Sequence, residues 1–330
     1  MISVPVSILD LAAVARDESV AESFAGSVRL AQSAERGGYE RVWYAEHHNI
    51  SSIASSATAV LIAHIAAHTE TIRLGAGGIM LPNHSPLQIA EQFGTLETLH
   101  PGRIDLGLGR APGSDEPTAR ALRRTAAAAE RFPDDVVELQ GLLGDESPLP
   151  GIRAIPGQGT HVPLYILGSS LFGAQLAAEL GLPYAFASHF APAALHEALA
   201  IYRERFKPSA QLREPYAMAG VGVIAADTPE SAAEQFQAAR RLRARAIFGR
   251  GGRRLSGEDI EALLRSPQAA VVDEMLACTA VGAGEEAAAY LERFQRQTGA
   301  DELITAHYND SVENRLRSVE LLARGAQLSV

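Results

Sequence analysis

Cysteine is almost missing from this chain: Cys278 is the only one in 330 residues. That excludes an intramolecular disulfide framework and a zinc ribbon, and fits a reducing compartment. Aromatic residues are sparse at 6%, too few for a platform that stacks single-stranded bases. Basic residues number 29 against 39 acidic ones, so the net charge is −10 and the basic footprint of a nucleic-acid binder is lacking. No apolar run is long enough to span a bilayer; the longest, Ala57 to Ala67, is interrupted by His64. Asp10, Arg16 and Asp17 stand where a signal peptide needs an apolar stretch. The expectation is a soluble, cytoplasmic protein with neither nucleic acid nor membrane as a partner. What is present is core material: 47% hydrophobic residues at a mean hydropathy of +0.00.

Short apolar runs alternate with helical patterns from end to end. Strands are expected at 3–9, 41–45, 72–80, 103–109, 163–167, 184–188, 217–225 and 302–306. Helices are expected at 20–36, 56–68, from Pro86 onward, and at 171–180, 192–206, 229–247, 284–298 and 310–324. Length alone suggests about two domains, but barrels of alternating strands and helices commonly exceed about 250 residues as one unit. The pattern fits an α/β fold, a (β/α)8 TIM barrel over residues 1–330, more economically than two domains divided near residue 150. Insertions are expected near 110–162 and 248–283. The first contains a Pro/Gly-rich loop at 144–162, and the second a basic, Gly-rich turn; each reads as a lid, a binding loop or disorder.

In such a barrel the active site lies at the C-terminal ends of the strands. Those ends carry Glu46-His47-His48-Asn49, Asn83-His84-Ser85, Arg110 to Asp115, Gly168-Ser169-Ser170 and Ser188-His189. Polar side chains thus gather on one rim. The Glu46-His47-His48 triplet could move protons, because imidazole titrates near neutrality, or could ligate a metal. Adjacent residues of an extended segment face opposite ways, so one of His47 and His48 is expected to face the mouth. His64 and His68 lie in what reads as one apolar stripe with Ala57, Val60, Leu61 and Ile65, which points to packing or a subunit interface instead of zinc. Gly168 to Gly173 follows a strand and opens a helix, so it reads as a phosphate cradle or as a plain serine N-cap. Arg110 could add a bidentate charge to the same anion.

Two glycine clusters, Gly107-Leu108-Gly109 and Gly75-Ala76-Gly77-Gly78, lack the spacing and the following helix of a dinucleotide fingerprint. Glycine inside a strand instead suggests a bulge or close approach by a ligand, such as a planar ring lying on Gly77 and Gly78.

At this point the chain resembles the bacterial-luciferase-like flavin monooxygenase family. The resemblance is carried by Ala45 to Asn49, Ile72 to His84, Ala90-Glu91-Gln92-Phe93, His100 to Gly113, Leu167 to Ser170 and Gly181 to Phe190. It implies a barrel that binds reduced FMN, supplied by a separate NAD(P)H:flavin reductase, and a homodimer packed through early helices. By motif, His47 is the implied general acid/base. Gly77 and Gly78 fall where the family often has a non-proline cis peptide beneath the flavin ring. Arg110, Ser169 and Ser170 match the phosphate side, although Gly173 replaces a hydroxyl residue of the luciferase α subunit and Ser169 an acidic one. The implied reaction is O2 activation as a C4a-peroxyflavin, which then oxygenates a small aldehyde, ketone or aromatic substrate. The alternatives are a deazaflavin-dependent hydride-transfer enzyme and a flavin-binding protein without catalysis. A metal-dependent barrel hydrolase using His47, His48 and His189 is a more distant rival; no metal is expected.

Overall fold

The computed structural model describes residues 2–15, 17–111, 115–249 and 255–328. Arg250 to Arg254, the basic part of the expected Gly-rich turn, and Pro112 to Ser114 lie outside the described residues. Eight parallel strands close into a ring: β1 (Val6–Asp10), β2 (Arg41–Tyr44), β3 (Arg73–Met80), β4 (Ile104–Gly109), β5 (Leu164–Gly168), β6 (Tyr184–Phe186), β7 (Ala217–Ala226) and β9 (Glu302–His307). Each pairs with the next, from Ile8 opposite Val42 round to Tyr184 opposite Ala217. Pairing of β9 with β7 and β1 completes the circle. The strands are buried on both faces, which explains why they read as unbroken apolar runs. The expected (β/α)8 barrel is the observed fold.

Helices begin where the chemistry of their first residues dictates. In α1 (Val20–Arg36), the Ser19 hydroxyl accepts from the Glu22 N–H while the Glu22 carboxylate accepts from the Ser19 N–H, a reciprocal cap. Proline opens α3 (Pro86–Leu99) at a position where its missing N–H costs nothing. On α2 (Thr58–Ala66) the buried stripe is Thr58, Leu61, Ile62, Ile65 and Ala66. His64 and His68 are instead exposed beside Val60, with the His68 ring 2.7 Å from the His64 carbonyl. The expected stripe is therefore displaced by one residue. A helix apolar on nearly every face offers two neighbouring stripes, and only contact with the sheet chooses between them.

Neither expected insertion is as drawn. Residues 110–162 contain α4 (Glu116–Ala121), a 3-10 turn at Ala126–Ala129, and α5 (Phe132–Leu143), whose buried Phe132, Val136 and Leu139 make it the barrel helix after β4. The 144–162 loop packs on α3, where a side chain on Gly94 would overlap the Gly157 backbone, and it leads into the N-terminal end of β5. It is thus no lid over the opposite end. The second excursion starts earlier than expected. The upper half of β7 pairs with an extra strand, β8 (Thr279–Ala283), from Gly222 opposite Thr279 to Ala226 opposite Ala283. Between them come α8 (Pro229–Phe248), α9 (Gly257–Leu264) and α10 (Ala269–Met275), and the helix that returns beside the barrel is α11 (Gly284–Thr298). Helices α6 (Leu171–Leu180), α7 (Leu195–Arg205) and α12 (Val312–Ala326) complete the shell.

The N-terminal end of the barrel is plugged by charge. Arg41 grips Glu302 through Nε and Nη2 at 2.8 and 3.0 Å and reaches Asp105 at 2.8 Å. Arg73, Trp43, Tyr216 and Ser7 donate to the same two carboxylates. Above this plug, Leu9, Trp43, Met218 and Ile304 form an apolar interior floor.

Candidate active site

At the open end, Glu46 is a buried hub. Its carboxylate accepts from His48 Nε2 at 2.9 Å and Asn83 Nδ2 at 3.0 Å on one oxygen, and from the Met80 N–H and His84 Nε2, both at 2.9 Å, on the other. Burial alone would push this carboxyl up; the donors His84, Asn83 and His48 outweigh it and hold it below the ordinary range. The Glu46 N–H reaches the Gly78 carbonyl at 3.3 Å, so the loop after β2 is fastened beside β3. His48 is turned into this hub. His47 is half-buried and bears electrostatically on His189. The set His47, His48 and His189 does not converge, and among the described residues no group of three or more His, Cys, Asp or Glu is arranged to hold a metal ion.

The peptide between Gly77 and Gly78 is cis, and the β3–β4 register shifts between Ala76 and Ile79. A Cβ on Gly77 would lie 2.7 Å from Leu9 Cδ1, and one on Gly78 would lie 2.6 Å from the Gly107 carbonyl oxygen. Only glycine fits at either position. Ala45 and Ala306 add little bulk at the same level, at the ends of β2 and β9. A peptide stripped of side chains above an apolar floor is a surface suited to a planar ring, so the residues present fit a flavin.

The β4 and β5 ends are neighbours, with Gly109 opposite Leu167. Arg110 is exposed and its guanidinium lies 3.9 Å from the centre of the Phe172 ring, over the first turn of α6. Ser170 occupies the N-cap without a side-chain hydrogen bond to the helix, so the plain-cap reading does not describe it. Its carbonyl is tied to the Tyr184 hydroxyl at 3.2 Å. The structure therefore brings Arg110, Ser169 and Ser170 to one corner, where free amide groups and the positive helix end favour an anion.

Three residues of this rim are not marked by the sequence for the place they take. Glu46 was grouped with the histidines but not seen as their anchor. Tyr308, just past β9, donates its hydroxyl to the His189 carbonyl at 2.8 Å. Arg243 of α8 places its guanidinium 5.4 Å from the centre of the Tyr308 ring. The Glu-X-His spacing was a usable signal for the first; Arg243 had none, because α8 reaches the mouth only through the β7–β8 excursion.

The sequence matches the luciferase-like monooxygenase family over residues 4–302. It is 47% identical over 317 residues to an Escherichia coli K12 protein named luciferase-like monooxygenase, covering 96% of this chain and 95% of that one. It is 50% identical over 319 residues to the Bacillus subtilis protein YvbT, with the same coverage. Among solved structures, apo-MsnO8 shares 34% identity and a TM-score of 0.88 over 99% of both chains. Fold and sequence agree over nearly the whole length, and the chain belongs to the luciferase-like monooxygenases, a family of oxidoreductases.

Proposed function

We propose that the protein is a monooxygenase that uses reduced FMN and O2 to oxygenate a small organic substrate. The observation that carries this reading is the Gly77–Gly78 surface, with the loop of Glu46 fastened to it and the Arg110–Ser170 corner on the same rim. Reduced FMN, when bound, supplies the electrons that activate O2, with one oxygen atom passing to substrate and the other to water. Arg110, Ser169, Ser170 and the amides of α6 hold the phosphate. Gly77 and Gly78 admit the ring, and Leu9, Trp43 and Ile304 beneath keep water from it. His47 gives or takes a proton at its imidazole nitrogen, with Glu46 securing the loop that carries it.

Support from likeness is coarser. A 3,6-diketocamphane monooxygenase solved with FMN shares the fold at 16% identity and a TM-score of 0.73. An F420-dependent secondary alcohol dehydrogenase shares it at 15% and 0.69. An N-acetyl-S-alkylcysteine monooxygenase of Bacillus subtilis is 40% identical over 186 residues, 55% of this chain. We read the protein as a single barrel unit acting in the cytoplasm, served by a separate flavin reductase. We also read it as a homodimer through the exposed face of α2, where Val60 stands 71% exposed. Titration with FMN and with a deazaflavin, followed by anaerobic reduction and stopped-flow mixing with air and a panel of aldehydes and aromatics, tests the reading. Substrate-dependent oxygenation with FMN is expected. Failure to bind any flavin at micromolar concentration would refute it, and tight binding of oxidised FMN without turnover would favour a non-catalytic carrier.

A further inference from the structure

Helix α8 carries four arginines, of which Arg245 is exposed to solvent. Arg240 and Arg241 are ion-paired, to Asp273 at 2.7 Å and to Glu261 at 2.6 Å. Arg243 is half-buried and has no carboxylate partner among the described residues. A partly desolvated guanidinium without a counter-ion is costly, and such a group in a cleft is a candidate for binding. Its platform is well fixed. The Tyr308 N–H reaches the Val223 carbonyl at 3.1 Å, its hydroxyl reaches the His189 carbonyl at 2.8 Å, and its ring leaves no room for a side chain on Gly222.

His189 completes the wall. Its Nδ1 is buried with no hydrogen-bond partner, and a Cβ on Gly220 would come within 2.3 Å of it. The Gly220 Cα–H occupies that direction, which suits a lone pair and not an N–H. Burial, then the charge of Arg243, then that of His47 push the His189 pKa down to about 3, so the ring is neutral at working pH. Its single proton therefore sits on Nε2. In a protein of net charge −10, this side of the mouth offers an N–H donor and a cation that makes no ion pair among the described residues.

We propose that Arg243, with the Nε2–H of His189, is a subsite for the carboxylate of the substrate, which makes the substrate an organic acid. This rests on the oxygenase reading above and adds the substrate class. A planar guanidinium matches a carboxylate through two parallel hydrogen bonds, and a neutral amide of the same shape forfeits the charge. The subsite lies at the β6, β7 and β9 ends, separate from the phosphate corner at β4 and β5.

The test uses the full chain and a set of phenylalkanoic acids, phenylacetate to 6-phenylhexanoate, each beside its primary amide, by calorimetry at neutral pH. At least one acid should bind about ten-fold or more tightly than its amide, the scale of one charge-assisted contact. Arg243→Gln should bring that acid down to the affinity of its amide and leave the amide unchanged, while Arg243→Lys keeps part of the preference. FMN binding should be the same in wild type and Arg243→Gln. The proposal is overturned if no acid is preferred, if the preference survives Arg243→Gln, or if Arg243→Gln weakens FMN instead. Failure of wild type to bind FMN would refute the oxygenase reading, while the acid–amide comparison still decides the subsite.

Discussion

His307 provides a stability prediction that can be worked through in numbers. It ends β9, is buried, and its Nδ1 lies 2.8 Å from the Ser318 hydroxyl while Nε2 lies 3.3 Å from that of Thr305. Burial, reinforced by Arg315, pushes its pKa down to about 3. In the unfolded chain it titrates near the ordinary value of about 6.5. Between these values the unfolded state binds the extra proton, so stability falls as pH falls from 7.5 to 5. At pH 5 the loss is roughly RT ln(1 + 10^1.5), about 2 kcal/mol. With an unfolding entropy of roughly 2.1 cal/mol/K per residue over 330 residues, that is about 3 °C in Tm. His189, equally depressed, adds a similar amount. Asp135 and Glu302, which burial pushes up, titrate in the opposite sense, so a single pH series would mix these terms. The clean measurement compares wild type with His307→Gln, which keeps hydrogen-bonding capacity but does not titrate. Urea or thermal unfolding at pH 7.5 and 5 should show the variant losing about 2 kcal/mol less than wild type across that interval. Parallel pH dependences in the two proteins would refute the claim that His307 is buried neutral.

Four further outcomes are expected. Glu46→Gln puts an amide against two imidazole donors, so turnover should fall about ten-fold or more with FMN affinity nearly unchanged, read by stopped-flow and fluorescence titration. In wild type the depressed Glu46 carboxyl contributes stability above its unfolded pKa that is lost as pH falls through the folded value, so acid unfolding below about pH 4.5 should be less steep in the variant. Gly78→Ala drives a methyl group to 2.6 Å from the Gly107 carbonyl oxygen, and should cost about 1–3 kcal/mol in unfolding experiments and abolish flavin binding. Arg110→Gln should weaken FMN about ten-fold while leaving riboflavin, which has no phosphate, unaffected in the same titration. Val60→Glu should convert a dimer to a monomer by light scattering without altering the fold; an unchanged mass would remove α2 from the interface.

Pattern alone was enough for the ring. Parallel strands buried on both faces leave continuous apolar runs, and helices end at caps, so eight strands, the boundaries of α1 and α6 and the start of α3 could be read directly. Local chemistry singled out Gly77, Gly78, Arg110, Ser169 and Ser170 as candidates, because each carries a donor, a charge or a missing side chain at a strand end, whereas His47 was chosen over His48 only by the family resemblance. What periodicity could not separate were structures made of the same letters. α5 was missed because the stretch before it, from Pro117 to Arg131, mixes proline, arginine and alanine, and β8 because five residues of Thr279–Ala283 pair only with the overhang of β7. The buried side of α2 was settled by the sheet and not by its own stripe.

Three arrangements belonged to tertiary structure alone. The plug of Arg41, Asp105 and Glu302 joins residues 64 and 261 positions apart. The Glu46 hub depends on β3 returning His84 to the end of β2, and the wall of Arg243, Tyr308 and His189 depends on α8 folding back over the mouth. A sequence determines which residues carry charge and which segments must be buried. Which charges then meet, and which are left without a partner, is decided only when the closed barrel brings its strand ends together.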